Sequence, residues 1–205
     1  CIRDSVDAAR AFEETARRYR GKVAFVSIAK FNIASVLIRQ GDFDGAIQAL
    51  RNVERTPGLG YIANVRLLTA ASLSLVYALR GELDLAQRWI DDGRRRLRKA
   101  SQRTAAAAEL RFSESVLLAR RGRREEALEL LERDWLNLEG TTTAAGMRRI
   151  WLLKAFLLAQ VAPARDQGAV EEQLARLRPF REGELGYLFE EWPELQAFAG
   201  SVGIS

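Results

Sequence analysis

Histidine is absent from this 205-residue chain, which also holds one cysteine, one methionine and four prolines. Without His there is no imidazole general base, no His metal ligand and no Ser-His or Cys-His nucleophilic pair. A single Cys excludes a cysteine-rich zinc site and an internal disulfide. No apolar run approaches the roughly 20 residues that a membrane-spanning helix needs. The phosphate-loop pattern Gly-x-x-x-x-Gly-Lys is missing, and Gly58-Leu59-Gly60 lacks the preceding strand a nucleotide site requires. Carboxylate pairs do occur, at Glu13-Glu14, Asp91-Asp92, Glu125-Glu126, Glu171-Glu172 and Glu190-Glu191. Adjacent residues on a helix point about 100° apart, so such pairs do not converge on one substrate atom and read as solvated faces. The expectation is a protein that is not an enzyme and needs no metal and no cofactor.

What is present is globular in composition, with 48% apolar and 29% charged residues. The length suits one domain or a short repeat array with a substantial core. The net charge of +5 is unevenly spread. Between Ile90 and Glu125 stand 11 bases (Arg94, Arg95, Arg96, Arg98, Lys99, Arg103, Arg111, Arg120, Arg121, Arg123, Arg124) against five acids. From Asp166 onward eight acids face three bases. Such polarity matters for association more than for fold. Of the 32 bases 28 are Arg, a skew ascribed here to a GC-rich coding sequence rather than to forked anion recognition. A nucleic-acid site would gather the bases on one surface, but Arg94, Arg95 and Arg96 fan around a helix. Phe112 is the one ring in the basic stretch, which argues against a stacking platform. The basic run is therefore read as solvated surface.

A repeat of about 40 residues organises the chain. Gly41, Gly81 and Gly122 are spaced 40 and 41 apart, and each is followed five residues later by Ala46, Ala86 or Ala127. Leu50, Ile90 and Leu131 stand four residues beyond those alanines. Leu37, Tyr77 and Leu118 precede the glycines by four, and the small residues Ala34, Ser74 and Ser115 come three earlier, continuing at Ala155 with Leu158. Apolar spacings of three and four are the period of a helix face. Glycine suits the left-handed turn that ends a helix, and Asp42 or Glu82 suits the start of the next. The small residues let paired helices approach closely. The pattern predicts helices over 4–19, 23–40, 43–55, 61–80, 83–99, 103–121, 124–137, 144–160 and 167–178, with Thr141-Thr142-Thr143 supplying an N-cap.

The sequence resembles the tetratricopeptide repeat (TPR) family, whose pattern is W-x2-L-G-x2-Y, then A-x3-F, then P. Trp151-x2-Lys154-Ala155-x2-Leu158 carries the first half, with Lys154 departing from the apolar rule. Ala8-x3-Phe12 carries the second, approximated by Ala46-x3-Leu50 and Ala86-x3-Ile90, and Pro57 lies near the terminal Pro position. The period is 40–41 rather than 34, as in longer-repeat relatives, and the fourth unit turns through Ala162-Pro163-Ala164 instead of Gly. The resemblance implies an all-α, right-handed superhelix of stacked antiparallel hairpins. It covers a repeat domain over 1–178 (half-repeat 4–20, repeats near 23–57, 61–100, 103–138 and 144–178), followed by a capping or docking segment at 179–205.

Function is expected in the groove that the first helix of each unit lines in such relatives. Its facing residues here would be Asn32, Ser35, Arg39, Leu68, Ser72, Leu75, Leu79, Phe112, Val116, Arg120, Arg149, Leu153 and Phe156. This surface is mostly apolar with Arg at its rim, as for a bound amphipathic helix or peptide, and some of these residues would instead pack hairpin on hairpin. Ser72 and Leu68 stand where a carboxylate clamp would need bases. The implied function is a scaffold binding a protein or peptide partner. The alternative is a sensory or regulatory segment of a bacterial transcription regulator or signalling ATPase.

The ends carry further expectations. The first helix resembles the second helix of a unit whose first is missing, either as a natural cap with a polar outer face (Arg17, Arg18 and Arg20) or as in a fragment of a longer array, the reading favoured here. Phe180, Tyr187, Leu188, Phe189, Trp192, Leu195 and Phe198 crowd the C-terminal segment, read as a cap over the last hairpin or as an aromatic docking peptide for a partner or for the chain's own groove. Cys1 would carry a lipid anchor, in a periplasmic or outer-membrane lipoprotein, only if a signal sequence with a lipobox preceded it. Otherwise the expected location is cytoplasmic.

Overall fold

A computed structural model of the chain describes residues 2–19, 21–56, 63–97, 104–134, 139–140, 142, 144–161, 167–177, 185–189 and 191–204. Among them every regular element is helical: α1 (Ile2–Arg18), α2 (Val23–Arg39), α3 (Phe43–Glu54), α4 (Ala63–Leu79), α5 (Leu83–Leu97), α6 (Ala105–Arg120), α7 (Arg124–Arg133), α8 (Ala144–Val161), α9 (Gln167–Leu177) and α10 (Pro193–Ser201), with a single 3-10 turn at Gly186–Leu188. The nine expected helices are present, their ends within two residues of the expected ones wherever those ends are described. Residues 135–137, assigned by the pattern to the end of α7, lie outside the described residues, as do Cys1, Pro57, Gly58-Leu59-Gly60, Arg98, Lys99, Arg103, Thr141, Thr143, Ala162-Pro163-Ala164 and Phe180. Helix α10 was not anticipated. It opens on Pro193, whose fixed φ and missing N–H fit a first helical turn.

The glycine period is a repeated backbone device. Gly41, Gly81 and Gly122 all adopt φ near +77° or +76°, the left-handed region where a Cβ is strained. At each, the amide two positions into the turn reaches back to the last helical turn: Asp42 donates to the Leu37 carbonyl, Glu82 to Tyr77 and Arg123 to Leu118, at 2.9–3.0 Å. These bonds satisfy helix-end carbonyls and reverse the chain within three residues. Asp42 then caps α3 by accepting from the Gly45 amide at 2.9 Å.

The small repeat positions do what close packing demands. Ala34, Ser74, Ser115 and Ala155 on the first helices, and Ala46, Ala86 and Ala127 on the second, are all fully buried, as are Leu50, Ile90 and Leu131. Each helix from α1 to α9 packs on its chain neighbour, α10 packs on α8, and the first helices α2, α4, α6 and α8 also pack side by side, in that order. One continuous core runs through the stack from Ala34 to Ala199. Between units, α5 approaches α6 at Gly93, where a Cβ would meet Leu110 Cδ1 at 2.5 Å. Lys154, the departure from the repeat pattern, is accommodated by an ion pair between units, to Glu132 on α7 at 3.6 Å.

Substituting Ala86 by Leu therefore inserts three carbons into a contact with no free space. The expected cost is about 1–3 kcal/mol, measured as a shift of the urea midpoint at unchanged slope. A change under about 0.5 kcal/mol, within the range of surface substitutions, would show that the helix pair has room to spare.

Candidate partner-binding face

The first helices place the expected face residues in one row, but the face differs from the open apolar stripe that the sequence predicts. Leu75, Leu79, Phe112, Val116, Leu153 and Phe156 are all buried, with Phe156 at 0% exposure. This corrects their reading as a ready surface. A helix row that packs on both sides closes over its own apolar side chains, and their character is accounted for by that packing. Asn32, Ser35, Leu68 and Ser72 are half-buried, and Arg39 is exposed.

Arg120 and Arg149 are built into the face rather than set at its rim. Arg149 stacks its guanidinium 4.5 Å from the Phe112 ring centroid and pairs with Glu109, one unit back on α6. Burial opposes its charge. The Glu109 carboxylate and the Tyr187 hydroxyl outweigh that opposition and raise the guanidinium above its ordinary range. Arg120 donates from Nε to the Ala78 carbonyl and from Nη2 to the Leu79 carbonyl, both at 3.2 Å, which secures the last turn of α4. Its Nη1 donates to the Glu191 carbonyl at 2.8 Å, and its guanidinium lies 5.5 Å from the Trp192 ring centroid.

Those last contacts belong to the C-terminal segment, and they decide what the face holds. Phe156 meets Trp192 edge-on, centroids 5.5 Å apart at 78°, and Phe198 at 5.7 Å and 65°. These are favoured aromatic geometries. Tyr187 lies against Arg149, and the turn Gly186–Leu188 packs beside α2. The segment thus touches α2, α6 and α8, the first helices of three different units. Tyr187, Leu188, Phe189, Trp192, Leu195 and Ala199 are buried by this placement. The aromatic crowding in the sequence signalled the segment. The sequence leaves open whether the segment caps the last hairpin or docks on the chain's own groove or on a partner, because nothing in a local pattern specifies which distant surface a segment meets.

Several described cations of the basic stretch have internal partners. Arg94 pairs with Glu114, Arg95 with Asp92 at 3.2 Å, and Arg111 with Asp134 at 2.8 Å. Arg96 spans three helices, donating to Glu54 Oε1 at 2.8 Å, Glu54 Oε2 at 3.0 Å and the Arg66 carbonyl at 2.6 Å. Arg121 bonds Gln87 at 3.0 Å and Asp84 at 3.2 Å, and Arg123 bonds Glu126 at 2.6 Å. Arg94, Arg96 and Arg121 thereby link successive units, whereas Arg95 and Arg123, each paired with an acid three residues away, stay on the solvated surface expected for them. A shallow depression of about 450 Å³ lies between α2 and α3, lined by Lys30, Ile33, Ala49, Asn52, Arg55 and Thr56. Among the described residues no three His, Cys, Asp or Glu side chains cluster as a metal site, and no helix is long and apolar enough to cross a membrane.

Searches of protein-family models, of curated proteins and of solved structures found no match to this chain.

Proposed function

We propose that the protein is a TPR-like, non-enzymatic scaffold that binds a peptide or helix of a partner protein along the face of its first helices. The observation that carries the reading is the occupancy of this face by an aromatic segment bound through side chains of α6 and α8. Apolar anchors set beside charge-assisted hydrogen bonds are the chemistry of helix and peptide recognition in grooves. The internal ion pairs of Arg94, Arg96, Arg111 and Arg121 speak against phosphate-backbone binding through these cations, which would have to be free to neutralise phosphates.

Affinity capture with the full chain as bait, followed by titration of the captured protein, tests the proposal. Ser35→Trp combined with Arg39→Glu obstructs the accessible end of the face on α2 without entering the core. This pair is expected to weaken binding at least tenfold, about 1.4 kcal/mol. Arg123→Gln, on the far side of the turn at Gly122, is expected to change affinity less than threefold. The opposite ranking would move the binding site to the outer basic surface.

A further inference from the structure

The C-terminal segment behaves as a folded unit laid on the array rather than as a fifth repeat. Its described backbone hydrogen bonds are local: Leu188 to Leu185, Trp192 to Phe189, Gln196 to Trp192 and Ile204 to Ala199. Gly203, at φ +75°, closes α10 by the same backbone turn that closes the first helices. The contacts described with the array run instead through side chains, Arg120 and Phe156 above all, with the Glu191 carbonyl as the backbone group that Arg120 takes. Charge is complementary as well. Residues 185–204 carry Glu190, Glu191 and Glu194 and no base, and Glu191 lies against Arg120 and Arg80 of the array, while Arg149 already has Glu109 as its partner. The Glu191 carboxylate also acts on Arg80, whose charge is supported first by Asp44 and then by Glu82 and Glu191.

Building on the scaffold reading, we propose that residues 185–204 are a displaceable internal ligand of the first-helix face. The partner segment that replaces them has the same chemistry: an acidic stretch with two aromatic side chains six residues apart, as Trp192 and Phe198 are. Seating such a segment requires the internal one to leave, so the face is gated by the chain itself. A tethered competitor acts at an effective concentration of about a millimolar. A free segment of equal intrinsic affinity therefore binds the intact chain poorly.

The probe is a synthetic peptide of residues 185–204 with an N-terminal fluorophore, titrated by anisotropy into the full chain and into its Trp192→Ala/Phe198→Ala variant. Hydrogen exchange on the same samples reports the state of the array. The expected result is loss of protection in 185–204 of the variant, with α2, α4 and α6 protected as before. That variant should bind the peptide at least tenfold more tightly than the unaltered chain does, and a peptide carrying W192A should not bind either protein. The proposal is overturned if the variant loses protection throughout α6 and α8, since the first-helix face then cannot stay folded without the segment. It is equally overturned if the released face binds the peptide no better than its W192A form, or if both proteins bind it equally. Peptide binding without any captured partner would sink the scaffold reading and leave the gate standing. A captured partner with equal affinity for both proteins would do the reverse.

Discussion

Replacing Phe156 by Ala is expected to lower the stability of the folded chain by about 3–5 kcal/mol. The ring is fully buried on α8 and is met edge-on by both Trp192 and Phe198. Its removal deletes two aromatic contacts and leaves a cavity that the packed helix row cannot collapse to fill. In a chain of this size each kcal/mol moves the melting midpoint by roughly 2–4 °C, so a fall of roughly 6–20 °C should appear in circular dichroism at 222 nm. Phe112, buried on α6, is subject to the same reasoning. Alanine substitutions at these two rings therefore report on folding, and the binding role of the face has to be tested at its exposed residues. A drop below about 1 kcal/mol for Phe156→Ala would mean that the C-terminal segment does not cover α8 as described.

The second large effect is expected at Arg149. Substitution by Met keeps a long apolar side chain but leaves the Glu109 carboxylate without its partner and removes the stacking on Phe112. Breaking a buried ion pair by taking one member costs about 3–5 kcal/mol. Glu109 keeps 26% of its side chain exposed, so water recovers part of its solvation, and about 2–4 kcal/mol is expected. Adding Glu109→Leu to Arg149→Met should restore at least half of the loss, because no unpaired charge then remains. The double-mutant cycle in chemical denaturation isolates this coupling. Additive losses would show that Arg149 contributes through Phe112 and Tyr187 alone. The Arg149–Glu109 pair also joins consecutive units, so its loss should reduce the cooperativity of unfolding between α6 and α8.

The two substitutions differ in what the sequence could reveal about them. Phe156 was legible as an apolar residue at helical spacing, and its burial follows from that spacing. Its partners Trp192 and Phe198 are visible in the sequence as aromatic crowding, with the last hairpin, the chain's own groove and a partner all open as its destination. Arg149 and Arg120 were assigned to a solvent-facing rim because a charged side chain in a single sequence carries no sign of its partner. Each is instead satisfied by groups far along the chain, Arg149 by Glu109 and Arg120 by the carbonyls of Ala78, Leu79 and Glu191. The solvated reading of the basic stretch holds for Arg95 and Arg123 but not for Arg96, whose partners Glu54 and Arg66 lie on other helices.

The sequence by itself determined the helices, their pairing and the repeat. Gly41, Gly81 and Gly122 set left-handed turns, Ala46, Ala86 and Ala127 set the closeness of paired helices, and apolar residues three and four apart set the buried faces. All of these act over a few residues or between neighbouring helices, so a one-dimensional pattern records them. Only the tertiary structure decided that the apolar face closes on itself, that Arg94, Arg96, Arg121 and Arg149 link unit to unit, and that residues 185–189 and 191–204 lie across α2, α6 and α8. Those outcomes depend on which surfaces meet when the hairpins stack, and the energy of such long-range contacts is shared between residues that no local spacing connects.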